Sequence, residues 1–486
     1  MTLLSESGWQ GRIWSNGWVE GAGGTRDVVS PSTGEVLGTH GMAGPADVGR
    51  AAAAAAEAQR GWAALPYNER AAILRRAGDL WHANAEEITG WLMRETGAIG
   101  PFGGFQIMTS AEECYEAAAL ASAPYGELLR SSSPRLSMAR RVPVGVVGVI
   151  SPFNVPTILS IRAVAPALAL GNAVILKPDP RTSVSGGAVL AEIFAAAGLP
   201  DGVLHVLPGG ADVGEAIVSD PLVPVISFTG STRAGRAVAE VGARHLKRVL
   251  LELGGNSAML VLDDVDVEAA SSVGAWGSFA HQGQVCMTTG RHIVMSGIAD
   301  EYVAALSARA DHLPVGDPTT GQVALGPVID AGQRDKIHSM VTTSVDQGAR
   351  LAAGGTYDEL YYRPTVLDSV PLDSPAYLQE IFGPVAPVVR VDSVDEAIAL
   401  ARNSEYGLSL GILTRDVMRG LEIADQIPTG LVHINDQTIN DEATIPFGGV
   451  GSSGTGARHG GPQANLEAFT HTQWVTVRGT LPQYPF

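Results

Sequence analysis

The chain has 486 residues, enough for two or three domains with large cores, and its 45% apolar and 17% charged residues fit a compact soluble protein. A formal net charge of −18 repels phosphate backbones and argues against a nucleic-acid binder, and the longest apolar stretches, 142–150 and 163–176, are too short or too interrupted to span a membrane. Two cysteines, Cys114 and Cys286, give no disulfide framework, and the start lacks a basic and apolar leader pattern, so a reducing cytoplasm is expected.

Residues 11–40 read as short paired strands, with Asn16-Gly17 as a hairpin turn and Ser32-Thr33-Gly34 as a second turn. From Pro45 to Gly97 the apolar residues recur at helical spacing. One helix runs from Asp47 through the alanines 51–56, the next starts at Asn68, and a third passes through Ala85-Glu86-Glu87-Ile88-Thr89. A long helix follows around 106–121, after which residues 135–142 alternate as a strand does. Between 144 and 262 the chain repeats a strand–turn–helix rhythm. Its strands are expected at 144–150, 173–176, 203–206, 225–228, 248–251 and 258–262, and helices at 155–169, 184–197, 211–219 and 232–243 separate the first five. Apolar strands alternating with helices imply a parallel, doubly wound sheet, which binds ligands at the carboxyl ends of its strands. The rhythm recurs after residue 290, with helices near 298–311, 331–347, 394–402 and 415–425, and predicts a second α/β domain.

The two cysteines keep different company. Cys114 falls inside a helical pattern and reads as a packed small hydrophobe. Cys286 lies in a loop, His281-Gln282-Gly283-Gln284-Val285-Cys286, between a helical run and the β-branched pair Thr288-Thr289. It is either an inert, half-buried thiol or a nucleophile for a carbonyl carbon. Gly449-Val-Gly-Ser-Ser-Gly454 matches G-x-G-x-x-G, but no apolar strand leads into it and no clear helix follows. Gly230-Ser-Thr-Arg-Ala-Gly235 does follow a strand and open a helix. Its amide groups, with Ser231 and Thr232, suit a pyrophosphate; the plain alternative is a βα turn. Lys177, one of only three lysines, stands at the end of a strand, which fits a ribose or phosphate contact better than a solvated charge. Glu252 also ends a strand, where burial raises a carboxyl towards the range of a general base; a salt bridge or a cap is its alternative role. Asn154, in Ser151-Pro152-Phe153-Asn154-Val155-Pro156, either offers its amide to an oxyanion or closes the proline-rich bend. A thiol, a carboxylate base, an amide donor and a dinucleotide cradle together suit oxidation of an aldehyde through a thioester.

With these residues in hand the chain resembles the aldehyde dehydrogenase superfamily over essentially its whole length. The blocks are Ser151-Pro-Phe-Asn-Val-Pro, Leu176-Lys-Pro, Phe228-Thr-Gly-Ser, Leu251-Glu-Leu-Gly-Gly-Asn, Gly283-Gln-Val-Cys, Glu380-Ile-Phe-Gly-Pro-Val and Pro446-Phe-Gly-Gly, in the family's order and spacing. The resemblance implies an α/β fold with a Rossmann-type doubly wound cofactor domain (1–120 and 142–253), a second α/β catalytic domain (254–446), and a β-arm for oligomerisation (121–141 and 467–486). It implies that Cys286 attacks the aldehyde, that Asn154 and the Cys286 amide hold the oxyanion, and that Glu252 activates the water that hydrolyses the thioester. For the cofactor it implies Lys177 at the adenosine ribose, Ser231 at the pyrophosphate, Glu380 at the nicotinamide ribose and Phe382 near the ring. Ser151, Pro152, Phe153, Gly210, Phe228, Gly230, Gly235 and Leu253 complete that site. No metal is implied.

Two departures stand out. Pro180 occupies the position where the family often has a ribose-binding glutamate, and Arg181 is adjacent; NAD is expected, with NADP use allowed. Gly451 takes the place of a usual lysine. The run 448–456, with Gln284-Val-Cys-Met-Thr-Thr-Gly-Arg-His292 and Lys177-Pro-Asp-Pro-Arg-Thr182, resembles the benzaldehyde/vanillin dehydrogenase branch, which implies an aromatic aldehyde as substrate. By the same analogy Leu159, Arg162, Val285 and Met287 face the substrate, with Arg162 either pairing with a polar ring substituent or lying on the helix surface. A homodimer or homotetramer is implied as well. The alternatives are an aliphatic-aldehyde or semialdehyde dehydrogenase, a coenzyme A-acylating enzyme, a cofactor-free hydrolase with His281 as base, and a binding protein that has lost activity.

Overall fold

Five of the apolar strands align in parallel in one sheet. Their spatial order is Arg248–Glu252, Val225–Thr229, Val146–Ile150, Ala173–Lys177 and Leu204–Val206. The chain steps outward from Val146–Ile150 to one side, then crosses over to build the other. The order therefore reverses between Val146–Ile150 and Val225–Thr229, which is where a doubly wound sheet opens its ligand crevice. The computed structural model that gives this architecture describes residues 3–4 and 6–486; Met1, Thr2 and Ser5, part of the stretch read for a leader, lie outside the described residues. The Asn16-Gly17 turn does join a hairpin, Ile13–Ser15 with Trp18–Val19, and that hairpin extends the sheet by pairing antiparallel with Leu204–Val206.

The sixth strand of the rhythm, Ser257–Val261, sits in a different sheet. Only Leu253-Gly254-Gly255-Asn256 separates it from Arg248–Glu252, with no crossover helix to return it alongside. It lies instead between Thr289–Met295 and Ser409–Leu413 in a second seven-stranded sheet, flanked further out by Val385–Val391, Thr365–Asp368, Arg350–Ala353 and Leu431–Ile434. A third sheet, antiparallel, joins Gly126–Leu128, Leu136–Pro143 and Thr470–Val477, so the tail returns to the segment that follows the amino-terminal helices.

Two helices bear on the site. In Pro156–Ala169 every residue except Leu159 is buried, because the helix is apolar all round and packs on several sides. The helix expected at 184–197 begins with a wide π turn, Val184–Ala188, before the α-helix Val189–Ala196. Glu95, 89 and 90 residues earlier in the chain, accepts the amide hydrogens of Val184 (2.9 Å) and Ser185 (2.7 Å) there. No local pattern announces such a long-range partner. Among the described residues no helix is long and apolar enough to cross a membrane.

Candidate active site

The loop before Cys286 is built on an unusual backbone. His281 (φ 49°) and Gln282 (φ 56°) are both left-handed and run into Gly283 (φ 65°). Each non-glycine residue there costs on the order of 1 kcal/mol, so tertiary contacts must hold the turn. Gln282 donates to the Gly97 carbonyl (2.9 Å), Gln284 accepts from the Ile329 amide (3.1 Å), and the His281 ring stacks on Phe102 with centroids 4.4 Å apart. Cys286 follows in a turn closed by the Thr288 amide donating to the Val285 carbonyl (2.9 Å). Its own carbonyl fits because Gly255 has no side chain: a Cβ there would lie 2.4 Å from that oxygen.

Cys286 is partly exposed, and what it faces is a cavity of about 700 Å³. Burial pushes its thiol up to about 12, the carboxyls of Glu380, Glu252 and Asp441 push the same way, and Arg162 opposes them. The resting sulfur is therefore a thiol that needs a base. Glu252 is buried, and neither of its oxygens makes a hydrogen bond among the described residues. Burial raises its carboxyl well above the usual range. Arg162, Arg458 and the Gly449 amide, which falls short of a hydrogen bond, pull it back. Asn154, also buried, donates from Nδ2 to the Gln284 carbonyl (2.8 Å), which spends one of that amide's two hydrogens. His281, weighed above as a hydrolase base, directs Nε2 to the Asn154 carbonyl (2.7 Å), and burial lowers its pKa to about 4.

Leu159, Arg162, Val285 and Met287 all line the cavity. Phe102, Trp276, Gln437, Asp441 and Phe447 join them, and none of these five was expected from the sequence. Arg162 is not on a helix surface: it is 4% exposed, ion-paired with Asp441 and with Glu113 (3.4 Å), and its Cζ lies 4.7 Å over the Phe447 ring. Its Nη1 has no hydrogen-bond partner among the described residues. A signal for this did exist, since an arginine in a helix apolar on all faces must be buried and must be paired.

Most of the residues expected at a cofactor gather at the carboxyl ends of the first sheet, while Glu380 and Phe382 come from the loop before Val385–Val391 in the second. Ser151, Pro152 and Phe153 follow Val146–Ile150, and Lys177 ends its neighbour. Lys177 is buried and joins no salt bridge among the described residues; burial lowers its pKa while Asp179 and Asp212 oppose that shift. Gly210 caps the helix Ala211–Ser219. Phe228 lies on Val225–Thr229, with Gly230 and Ser231 just beyond, and Ser231 caps the 13-residue helix Thr232–Arg244 by accepting from the Ala234 amide (3.3 Å). That leaves its hydroxyl hydrogen and the helix N-terminus available to an anion. Gly235 lies against Leu253, where a Cβ would come within 2.3 Å of that side chain. Glu380 accepts the Gly255 amide (3.0 Å) through one oxygen, and burial raises its carboxyl to about 7. Phe382 (φ 57°) meets Phe153 edge to face at 6.0 Å. A buried ammonium, a capped helix N-terminus and a carboxylate with one oxygen to spare fit a dinucleotide. Arg181 points away from this role: it is tied to Asp179 and Asp330 and stacks over Phe153. Gly451 is left-handed (φ 62°) with the Glu405 carbonyl 2.7 Å from where a Cβ would stand, so lysine does not fit there.

Cys286, Asn154 and the crevice meet where the two large sheets adjoin, an arrangement that suits a thiol nucleophile beside a dinucleotide site. The model of the aldehyde dehydrogenase family matches residues 18–475, and the chain belongs to that family. It is 64% identical to a vanillin dehydrogenase of Amycolatopsis sp. over the full length of both chains. Over 98% of each chain it is 52% identical to a benzaldehyde dehydrogenase of Pseudomonas putida whose name specifies NAD(+). The crystal structure of a salicylaldehyde dehydrogenase from Pseudomonas putida G7, complexed with salicylaldehyde, matches with a TM-score of 0.94 at 36% identity, covering 98% of this chain and 99% of that one.

Proposed function

We propose that this enzyme oxidises aromatic aldehydes of the benzaldehyde and vanillin type to carboxylic acids, with NAD as its cofactor. The observation that carries this reading is the cavity: an apolar space walled by Phe102, Trp276 and Phe447 that ends on Cys286. The names of the relatives and the salicylaldehyde complex support the same substrate class. Glu252 takes the thiol proton, and the sulfur adds to the aldehyde carbon to give a thiohemiacetal. The second Nδ2 hydrogen of Asn154 and the Cys286 amide hold the oxygen. When bound, the nicotinamide supplies the two-electron oxidation that leaves a thioester on Cys286. Lys177, Ser231 and Glu380 hold the dinucleotide, with Ser151, Pro152, Phe153, Gly210, Phe228, Gly230, Gly235, Leu253 and Phe382 around them. Once the thiol proton has passed from Glu252 to solvent, Glu252 removes a proton from water as it attacks the thioester, the carbon–sulfur bond breaks, the sulfur leaves as thiolate and takes that proton back, and the acid leaves. A thiol acceptor such as coenzyme A does not need that carboxylate, so its presence favours hydrolysis.

The domain division expected above, the cytoplasm as the enzyme's location and a homodimer or homotetramer belong to the same proposal. Leu128 (79% exposed) and Trp474 (62% exposed) on the three-stranded sheet support pairing between arms of two copies.

Absorbance of the reduced nicotinamide, followed with a panel of aromatic and aliphatic aldehydes, tests the reading. Turnover without coenzyme A and a preference for aromatic rings are expected; a preference for short aliphatic aldehydes or a coenzyme A requirement would contradict it. Arg181 is held by Asp179 and Asp330, and Asp212 beside Lys177 opposes added negative charge there, so NAD is expected to surpass NADP by about tenfold or more in kcat/KM. Arg162 and Asp441 give the cavity one donor and one acceptor for a ring hydroxyl or ether. Arg162→Lys keeps the charge but loses the planar fork. It is expected to lower kcat/KM for hydroxylated benzaldehydes by about tenfold and for benzaldehyde by no more than about twofold. Equal losses on both would remove Arg162 from ring recognition.

A further inference from the structure

Asn154 is tied to the Cys286 loop at two points. Its side-chain Nδ2 donates to the Gln284 carbonyl at 2.8 Å, and its backbone carbonyl lies 2.7 Å from Nε2 of His281. A carbonyl only accepts, so Nε2 carries the proton, and Nδ1, buried and without a partner among the described residues, carries none. Burial keeps the ring neutral by lowering its pKa to about 4, so this single tautomer persists across the neutral range. His281 and Gln284 bracket the left-handed turn, and His281 is itself one of its two non-glycine residues. Phe102, stacked at 4.4 Å and 14°, fixes the plane of the ring. The ring thus braces a strained turn on one side and the amide-bearing loop on the other.

We propose that His281 is a positioning residue for the oxyanion site: through the Asn154 carbonyl it sets where the free Nδ2 hydrogen of Asn154 stands relative to Cys286. Without that donor the Asn154 carbonyl is buried and unsatisfied, and the left-handed turn loses one of its braces. Both consequences shift an amide whose value depends on placement to a fraction of an ångström. The inference rests on Asn154 acting as oxyanion donor.

The experiment is a double-mutant cycle between His281→Phe and Asn154→Ala, with His281→Gln as the conservative variant. Phenylalanine keeps the stack on Phe102 and loses the donor; the glutamine amide reaches about as far as Nε2. His281→Phe is expected to lower kcat about 100-fold with the aldehyde KM changed less than about threefold, and His281→Gln to recover most of that loss. In the Asn154→Ala background His281→Phe is expected to add less than about twofold. The melting temperature of each variant is measured alongside, and if the phenylalanine variant does not fold, His281→Asn, with too short a donor, takes its place. Additive losses, or a glutamine variant as slow as the phenylalanine one, would overturn the inference while leaving the oxyanion role intact. An Asn154→Ala variant of undiminished activity would remove the oxyanion role itself, and with it what His281 is said to position.

Discussion

Cys286→Ala is expected to lower aldehyde oxidation by about 10⁴-fold or more in kcat/KM while leaving the fold and dinucleotide binding unchanged. The loss is large because the chain's other cysteine and the nearby His281 cannot take over the covalent step. Cys114 is fully buried in the helix Gly100–Leu120, and burial raises its thiol well above the usual range. His281 is committed to the Asn154 carbonyl. The fold should survive because Cys286 lies in a turn at the cavity wall, and removing one sulfur from a surface that already faces open space leaves no closed void. Cys286→Ser is expected to lose nearly as much, since an alcohol is a far weaker nucleophile at neutral pH. Cofactor binding by tryptophan fluorescence, intact in both variants, separates lost chemistry from lost structure.

The second large effect is a change of rate-limiting step. Glu252→Gln is expected to lower steady-state turnover by about 10³-fold, yet to give one equivalent of reduced nicotinamide per site in a first phase. That phase is itself slowed, because Glu252 also takes the thiol proton, but it completes; hydrolysis of the thioester then stalls. The pH dependence follows from the same group. Burial lifts the Glu252 carboxyl well above its ordinary range, and the competent form is the ionised one. The thiol of Cys286 is lifted as well. Both shifts act in one direction: kcat/KM of the wild-type enzyme is low on the acid side and climbs as pH rises through the raised carboxyl value. In Glu252→Gln the turnover step loses that limb. Stopped-flow absorbance across a pH series reads both the first phase and the limb.

Much of this site is legible in the sequence because its chemical groups stand where regular elements end. Lys177, Glu252 and Ser231 each close a strand or open a helix, and the apolar strands that precede them mark those positions without reference to the rest of the chain. The thiol is legible for the same reason, as a lone cysteine on a loop with two glutamines, both of which prove to anchor it. What escapes is assembled by tertiary packing. Asp441 and Glu113 meet Arg162 from positions 279 and 49 residues away, and nothing in their own neighbourhoods requires it. Phe102 lies ahead of the helix expected at 106–121, in the first turn of the helix Gly100–Leu120, and its ring holds His281. The left-handed pair at 281 and 282 contradicts local preference, and such conflicts concentrate at functional turns. The strand Ser257–Val261 shows the same limit at the level of topology. Its apolar pattern marks a strand, while the sheet it joins is decided by the missing crossover helix.

The reaction turns on the thioester on Cys286, and a mass spectrum of the Cys286 peptide detects it. The Glu252→Gln variant is mixed with benzaldehyde and NAD, quenched in acid at the end of the first phase, and digested. The thioester mechanism predicts a benzoyl group on Cys286, absent without NAD and absent from Cys286→Ala carrying the same glutamine. An unmodified Cys286 peptide at the time when one equivalent of reduced nicotinamide has formed, or the acyl group on another residue, would contradict it.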